Sequence, residues 1–219
     1  MGIRILVWDV PTRVFHWLLV ASFAGAFLTS ESEHYRDIHV VMGYTLLGLL
    51  AFRLVWGITG TRYAQFKSFL FSPAETVKYL ASMFKGHPKH YLGHNPAGSL
   101  AVFALLGLGI VSGLSGVLLF QDIGGEALEE LHEITSYSML SVVALHVAGV
   151  LASSLMHREN LIRAMMTGYK PAQTDNGQGI SGAHAWLGAI ILTIVLAFWF
   201  AYPASGLMDS PKPDASRQQ

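Results

Sequence analysis

Five stretches of this chain are apolar for long enough to cross a lipid bilayer, and that constraint decides most of what the chain can fold into. They cover roughly residues 14–30, 39–60, 97–120, 133–156 and 182–206. A helix needs about 20 mostly apolar residues to span the hydrocarbon. No water satisfies the backbone there, so spanning structures are helices or closed barrels. None of the stretches shows the alternation of a barrel strand. The sequence therefore predicts an all-α integral membrane protein built as a helical bundle.

Only 13% of the residues are charged, against about 25% in a soluble domain. The formal net charge is zero, which argues against a basic nucleic-acid-binding surface. There is no cysteine. Disulfides, thiolate zinc sites, iron–sulfur clusters and covalently attached haem are thereby removed. Ten histidines remain as candidate ligands. The first apolar stretch lacks a signal-peptide cleavage pattern, and we read it as a retained helix.

Lys and Arg in the connections set the expected orientation. Arg4, Arg13, Arg53, Arg62, Lys67, Lys78, Lys85, Lys89, Arg158, Arg163 and Lys170 fall on one side, and Arg36, Lys212 and Arg217 on the other. The N-terminus is expected in the cytoplasm and the C-terminal tail outside. The outer side is acidic, with Glu31, Glu33, Asp37, Asp122, Glu126, Glu129, Glu130 and Glu133. These residues make a solvated rim or a docking surface for a basic partner such as a cytochrome c. In the second connection, Ser72-Pro73-Ala74-Glu75 reads as a capping box opening a short interfacial helix that ends before Gly86-His87-Pro88.

Histidines inside spans are costly, so each is a functional candidate. His16 lies one turn into the first span, His39 opens the second, His132 opens the fourth, and His146 follows on that same helix. Taken singly, a histidine near a helix end is an ordinary interfacial hydrogen-bonding group. As a set they match by depth. The 14-residue step from His132 to His146 is nearly four whole turns, about 21 Å, so both rings leave one face at opposite depths. His39 pairs with His132 near the outer side, and His16 with His146 near the inner side.

Two imidazoles on two helices at one depth suit the axial ligation of haem. Zinc would want three or four converging ligands. The expectation is a four-helix haem-binding transmembrane bundle with two haems b, plus a fifth transmembrane helix. Gly25, Gly43, Gly48, Gly113 and Gly116 leave room for a porphyrin or serve close helix packing. Arg13 and Arg53 are candidate partners for haem propionates, with snorkelling to headgroups as Arg53's plainer role. The third span, which has His94 at its start, reads as a packing helix. His34, His87, His90, His157 and His184 read as mostly solvated.

Several stretches carry a family resemblance. They are Val7-Trp8-Asp9-Val10-Pro11-Thr12-Arg13-Val14-Phe15-His16-Trp17, Ile38-His39-Val40-Val41-Met42-Gly43-Tyr44, Phe52-Arg53-Leu54-Val55-Trp56-Gly57 and Arg62-Tyr63-Ala64-Gln65-Phe66. Gly93-His94-Asn95-Pro96-Ala97-Gly98, Leu131-His132-Glu133 and Ala144-Leu145-His146-Val147 complete them. Over about residues 5–170 the chain resembles the bacterial cytochrome b561 family, which includes the b-type cytochrome subunit of nickel-iron hydrogenases. The resemblance implies a four-helix core with haem ligands at His16, His39, His132 and His146. It also implies electron exchange with a membrane quinone and a partner redox protein. The fifth segment departs from the shortest members.

The expected function is respiratory electron transfer in the bacterial inner membrane, between the quinone pool and a periplasmic hydrogenase or cytochrome c. The rivals are a freestanding quinone-linked oxidoreductase such as a superoxide oxidase, and a non-haem membrane anchor or transporter. The chain is expected to divide into a di-haem domain over 1–170, a cytoplasmic linker over 171–181, an additional helix over 182–206 and a disordered tail over 207–219.

Overall fold

A computed structural model describes residues 4–86, 88–171 and 178–202, so His87 and the tail expected to be disordered lie outside the described residues. Seven helices follow one short strand and precede or flank another. They run as β1 (Arg4–Leu6), α1 (Val10–Thr29), α2 (Arg36–Thr59), α3 (Pro73–Phe84), α4 (Pro96–Phe120), α5 (Gly125–His157), α6 (Leu161–Thr167), β2 (Tyr169–Pro171) and α7 (Ala185–Ala201). Helices α1, α2, α4 and α5 are each long and apolar enough to cross a membrane. Among the described residues the chain is all-α apart from β1 and β2, which pair antiparallel with Ile5 opposite Lys170.

The helix starts follow from local chemistry. Asp9 caps α1, its Oδ1 accepting from Thr12 N at 2.7 Å, and Pro11 sits in the first turn. That cap starts the helix earlier than the apolar pattern alone suggested. Ser72 and Glu75 complete the expected capping box on α3. Asn95 caps α4 through Gly98 N at 2.7 Å, with Pro96 opening the helix. Helix α5 begins at Gly125, well before the apolar stretch, because Gly124 at φ 108° supplies a left-handed start. Its 33 residues extend about 50 Å, so the acidic first turns project beyond the apolar zone.

Two clusters hold the bundle. Phe15, Leu18, Leu49, Ile191 and Val195 join α1, α2 and α7. Leu46, Leu50, Leu106 and Met139 join α2, α4 and α5. Large outward residues such as Leu145 and Phe200 are 71% and 81% exposed, as lipid-facing side chains should be.

Helix α7 packs along α1 and runs parallel to it. Val10 N donates to Ala183 O at 2.9 Å near its start. Near its end Trp199 Nε1 donates to Thr45 Oγ1 at 2.9 Å, and Tyr202 lies 6.0 Å from Tyr44. At 17 residues it is an apolar helix shorter than the four that are long enough to cross a membrane. Helix α5 is laid along α4, while its backbone hardly approaches α1 or α2. The histidines stand in that separation.

Two ends can be distinguished. The acidic end carries the α1–α2 and α4–α5 connections. The basic end carries β1, the α2–α4 connection, α6 and β2.

Candidate functional site

At the acidic end, His39 from the first turns of α2 meets His132 from α5. Their ring centres are 6.2 Å apart, with planes at 74°. His39 Nδ1 lies 2.8 Å from Ala26 O. That carbonyl belongs to the last turn of α1 and also accepts from Thr29 Oγ1 at 3.2 Å. His132 Nδ1 lies 2.8 Å from Ser112 O on α4, with Ser115 Oγ at 3.2 Å. A carbonyl can only accept, so each Nδ1 carries a hydrogen, and the neutral form of either ring then has its lone pair on Nε2.

This geometry fits a haem iron. With metal–nitrogen bonds of about 2.0 Å and about 1.1 Å from nitrogen to ring centre, two imidazoles gripping one iron have centres about 6 Å apart. Anchoring the second ring nitrogen to a carbonyl is the usual way a ligating histidine is oriented. Among the described residues no group of three or more His, Cys, Asp or Glu could hold a metal ion, so the donor set is paired imidazoles and nothing denser.

The glycines sort into different uses. A Cβ on Gly116 would stand 2.9 Å from His132 Cε1, so that position makes room for the ring. Gly113 is pressed against Leu47, at 2.5 Å from a would-be Cβ, and serves the α2–α4 crossing. Gly25 faces Met42, whereas Gly43 and Gly48 face open space.

At the basic end, His16 of α1 and His146 of α5 lie within electrostatic reach of each other. His16 Nδ1 is buried without a hydrogen-bond partner among the described residues. Arg53 comes down α2 to this level and is 3% exposed. Its guanidinium lies 4.7 Å from the Phe66 ring centre and 5.8 Å from that of Phe69, and its Nη1 has no hydrogen-bond partner among the described residues. Arg13 is used differently. Its Nη1 donates to Met166 O at 2.6 Å, tying α1 to α6, while Nε is buried and unpartnered.

Sequence reasoning missed several residues here. His94, read with a packing helix, is stacked 4.2 Å from Phe69 and edge-on to Trp8 at 4.9 Å. It has Arg53, His146 and His16 as electrostatic neighbours, and its Nδ1 is buried without a hydrogen-bond partner among the described residues. Burial first, and then the Arg53 guanidinium, hold its imidazole well below the usual histidine range. Asp9 is 1% exposed. Besides capping α1 it accepts from Trp56 Nε1 at 3.1 Å and Thr61 Oγ1 at 2.5 Å, fastening α1 to the end of α2.

His90 is not solvated either. Its Nε2 lies 3.0 Å from Glu159, and Lys170 Nζ is 3.5 Å from the same carboxylate. Although burial works against ionisation, the His90 hydrogen bond and the Lys170 ammonium hold Glu159 below the usual carboxylate range. Burial lowers Lys170, against the pull of Glu159. His157 stands 5.1 Å from His90, and His184 packs edge-on to Trp56 at 5.7 Å. His34 lies on Tyr35 at 4.7 Å, exposed at the acidic end.

A membrane bundle with imidazoles paired across its helices is the architecture of a b-type cytochrome. Residues 7–168 match the prokaryotic cytochrome b561 family, and the chain belongs to that family: it is a multi-pass membrane b-type cytochrome, a carrier of haem b and of electrons. Its curated relatives include a probable Ni/Fe-hydrogenase B-type cytochrome subunit of Rhodobacter capsulatus, 20% identical, covering 78% of this chain and 83% of the relative. A protein so described in Azotobacter vinelandii is 23% identical over 78% and 90%. A probable Ni/Fe-hydrogenase 1 B-type cytochrome subunit of Escherichia coli K12 is 22% identical over 75% and 89%. No solved structure matches the chain.

Proposed function

We propose that the chain carries electrons between the membrane quinone pool and a redox protein docked at its acidic end, through two haems b. His39 and His132 hold the first, and His16 and His146 the second. The observation that carries this reading is the His39–His132 pair, with rings 6.2 Å apart and each Nδ1 given to a backbone carbonyl. Haem b, when bound, supplies a one-electron ferric–ferrous couple.

The protein's own residues do the rest. The four histidines fix the two levels, and α5 sets their separation through the His132–His146 step. Arg53 places a cation beside the basic-end pair, which favours the electron-rich reduced state. The uneven distribution of Lys and Arg supports an N-terminus in the cytoplasm of a bacterial inner membrane. The acidic end then faces the periplasm. There Glu31, Glu33, Asp37, Asp122, Glu126, Glu129, Glu130 and Glu133 are all exposed. They offer a basic redox protein a complementary surface. The names of the relatives point to a hydrogenase as one such partner.

His132→Ala and His146→Ala test the ligand assignment. Each is expected to lose about one haem equivalent, measured as pyridine haemochrome per polypeptide, and to leave the other in place. Retention of full haem by both variants would overturn it.

A further inference from the structure

The basic end holds a buried guanidinium with no salt bridge among the described residues. Arg53 is 3% exposed, and its Nη1 has no hydrogen-bond partner among the described residues. Asp9 is an electrostatic neighbour of Arg53, yet its two oxygens are taken by Thr12 N, Trp56 Nε1 and Thr61 Oγ1. A buried charge left this way is expensive unless an anion meets it. Beside it, against a shared aromatic, stands a second idle nitrogen. Phe69 packs against both the Arg53 guanidinium at 5.8 Å and the His94 ring at 4.2 Å, and His94 Nδ1 is also buried without a partner.

Trp8 and Phe69 clamp His94 in an aromatic corner. His94 is therefore fixed by packing, and no polar contact uses its Nδ1. Its position just before the Asn95 cap of α4 ties it to the start of that helix, while Arg53 arrives from α2. Two donors from two elements are electrostatic neighbours at the level of His16 and His146. A guanidinium and an imidazole N–H together suit one carboxylate, which accepts from both through its two oxygens.

We propose that Arg53 and His94 together form a carboxylate receptor for a propionate of the basic-end haem, with His94 as the second, previously unassigned donor. This rests on the reading that His16 and His146 hold a haem at that level. The receptor orients the ring about its axis and compensates the buried guanidinium. It is a positioning device and supplies no ligand to iron.

The test compares haem b with its propionate dimethyl ester in reconstitution of the haem-free detergent-solubilised protein. The wild-type chain is expected to take up haem b at the basic-end site at least about tenfold more tightly than the diester, a difference equal to about 1.4 kcal/mol. His94→Phe and Arg53→Gln should each shrink that preference several-fold. His94→Gln, which keeps a donor, should restore part of it. All three should retain the low-spin spectrum of two imidazole ligands, and the midpoint potential of one haem alone should fall in Arg53→Gln. A preference for haem b that is unchanged in either His94→Phe or Arg53→Gln overturns the two-donor receptor. His146→Ala distinguishes that failure from failure of the ligand assignment: if it keeps its full low-spin haem, the assignment itself is wrong, whatever the receptor variants do.

Discussion

The two imidazole levels are built on different supports. At the acidic end, His39 and His132 are oriented by backbone: a last-turn carbonyl of α1 for one and Ser112 O of α4 for the other. Beside His132 stand small residues, Gly116 and Ser115. At the basic end, His16 Nδ1 has no such anchor. The surroundings there are side chains from distant segments: Arg53, His94, Trp8 and Phe69, with the Glu159–Lys170–His90 cluster outside them. Helix geometry alone can preset a ligand's tautomer. A charged, aromatic shell depends on loops and strands being folded around it.

Changes at each end should therefore have separable consequences. The largest effect is expected from Gly116→Val. Even a Cβ there stands 2.9 Å from the His132 ring, so the variant should lose the acidic-end haem while the second keeps its spectrum. Haem quantitation with a reduced-minus-oxidised spectrum reads this out. Loss of both haems would erase the distinction between the ends.

Glu159→Gln attacks the other end. It leaves Lys170, 3% exposed, without its carboxylate, at a cost on the order of 3 kcal/mol. Thermal unfolding in detergent should show that loss with the acidic-end haem spectrum unaltered. The pH dependence has a definite sign. Glu159 is held below its ordinary range, so its contribution is present above the ordinary carboxylate pKa and fades as pH falls through the depressed value. Acidification should erase the difference between Glu159→Gln and the parent.

Thr61→Ala is a smaller perturbation. It removes one of three hydrogen bonds to buried Asp9 and should cost about 1.5 kcal/mol in the same unfolding assay. The smallest effect is expected from Ser115→Ala. Ser112 O remains as the nearer partner of His132 Nδ1, so haem content and spectrum should be unchanged. A measurable loss of haem would show that the serine, rather than the carbonyl, orients the ring.

Much of this was legible in the sequence for a physical reason. Lipid forces long apolar runs, so the spans announce themselves, and the step from His132 to His146 reports depth and face without any tertiary information. The ends were less legible. Helix α5 starts at Gly125 rather than at residue 133 because a left-handed glycine and a run of acidic residues continue a helix that hydrophobicity does not mark. His94, His90 and Glu159 were passed over because depth says nothing about lateral neighbours. Their burial comes from the α2–α4 connection folding back on β2 and the end of α5. The β1–β2 pairing, three residues long on each side, was too short to leave an alternation pattern.

The most direct measurement is the ratio of haem to polypeptide in the purified wild-type protein, taken with its low-temperature spectrum. Two haems b per chain, both low-spin with imidazole on each axial position, is the predicted result. A single haem, or a colourless protein after expression with ample haem, would contradict the two-level account.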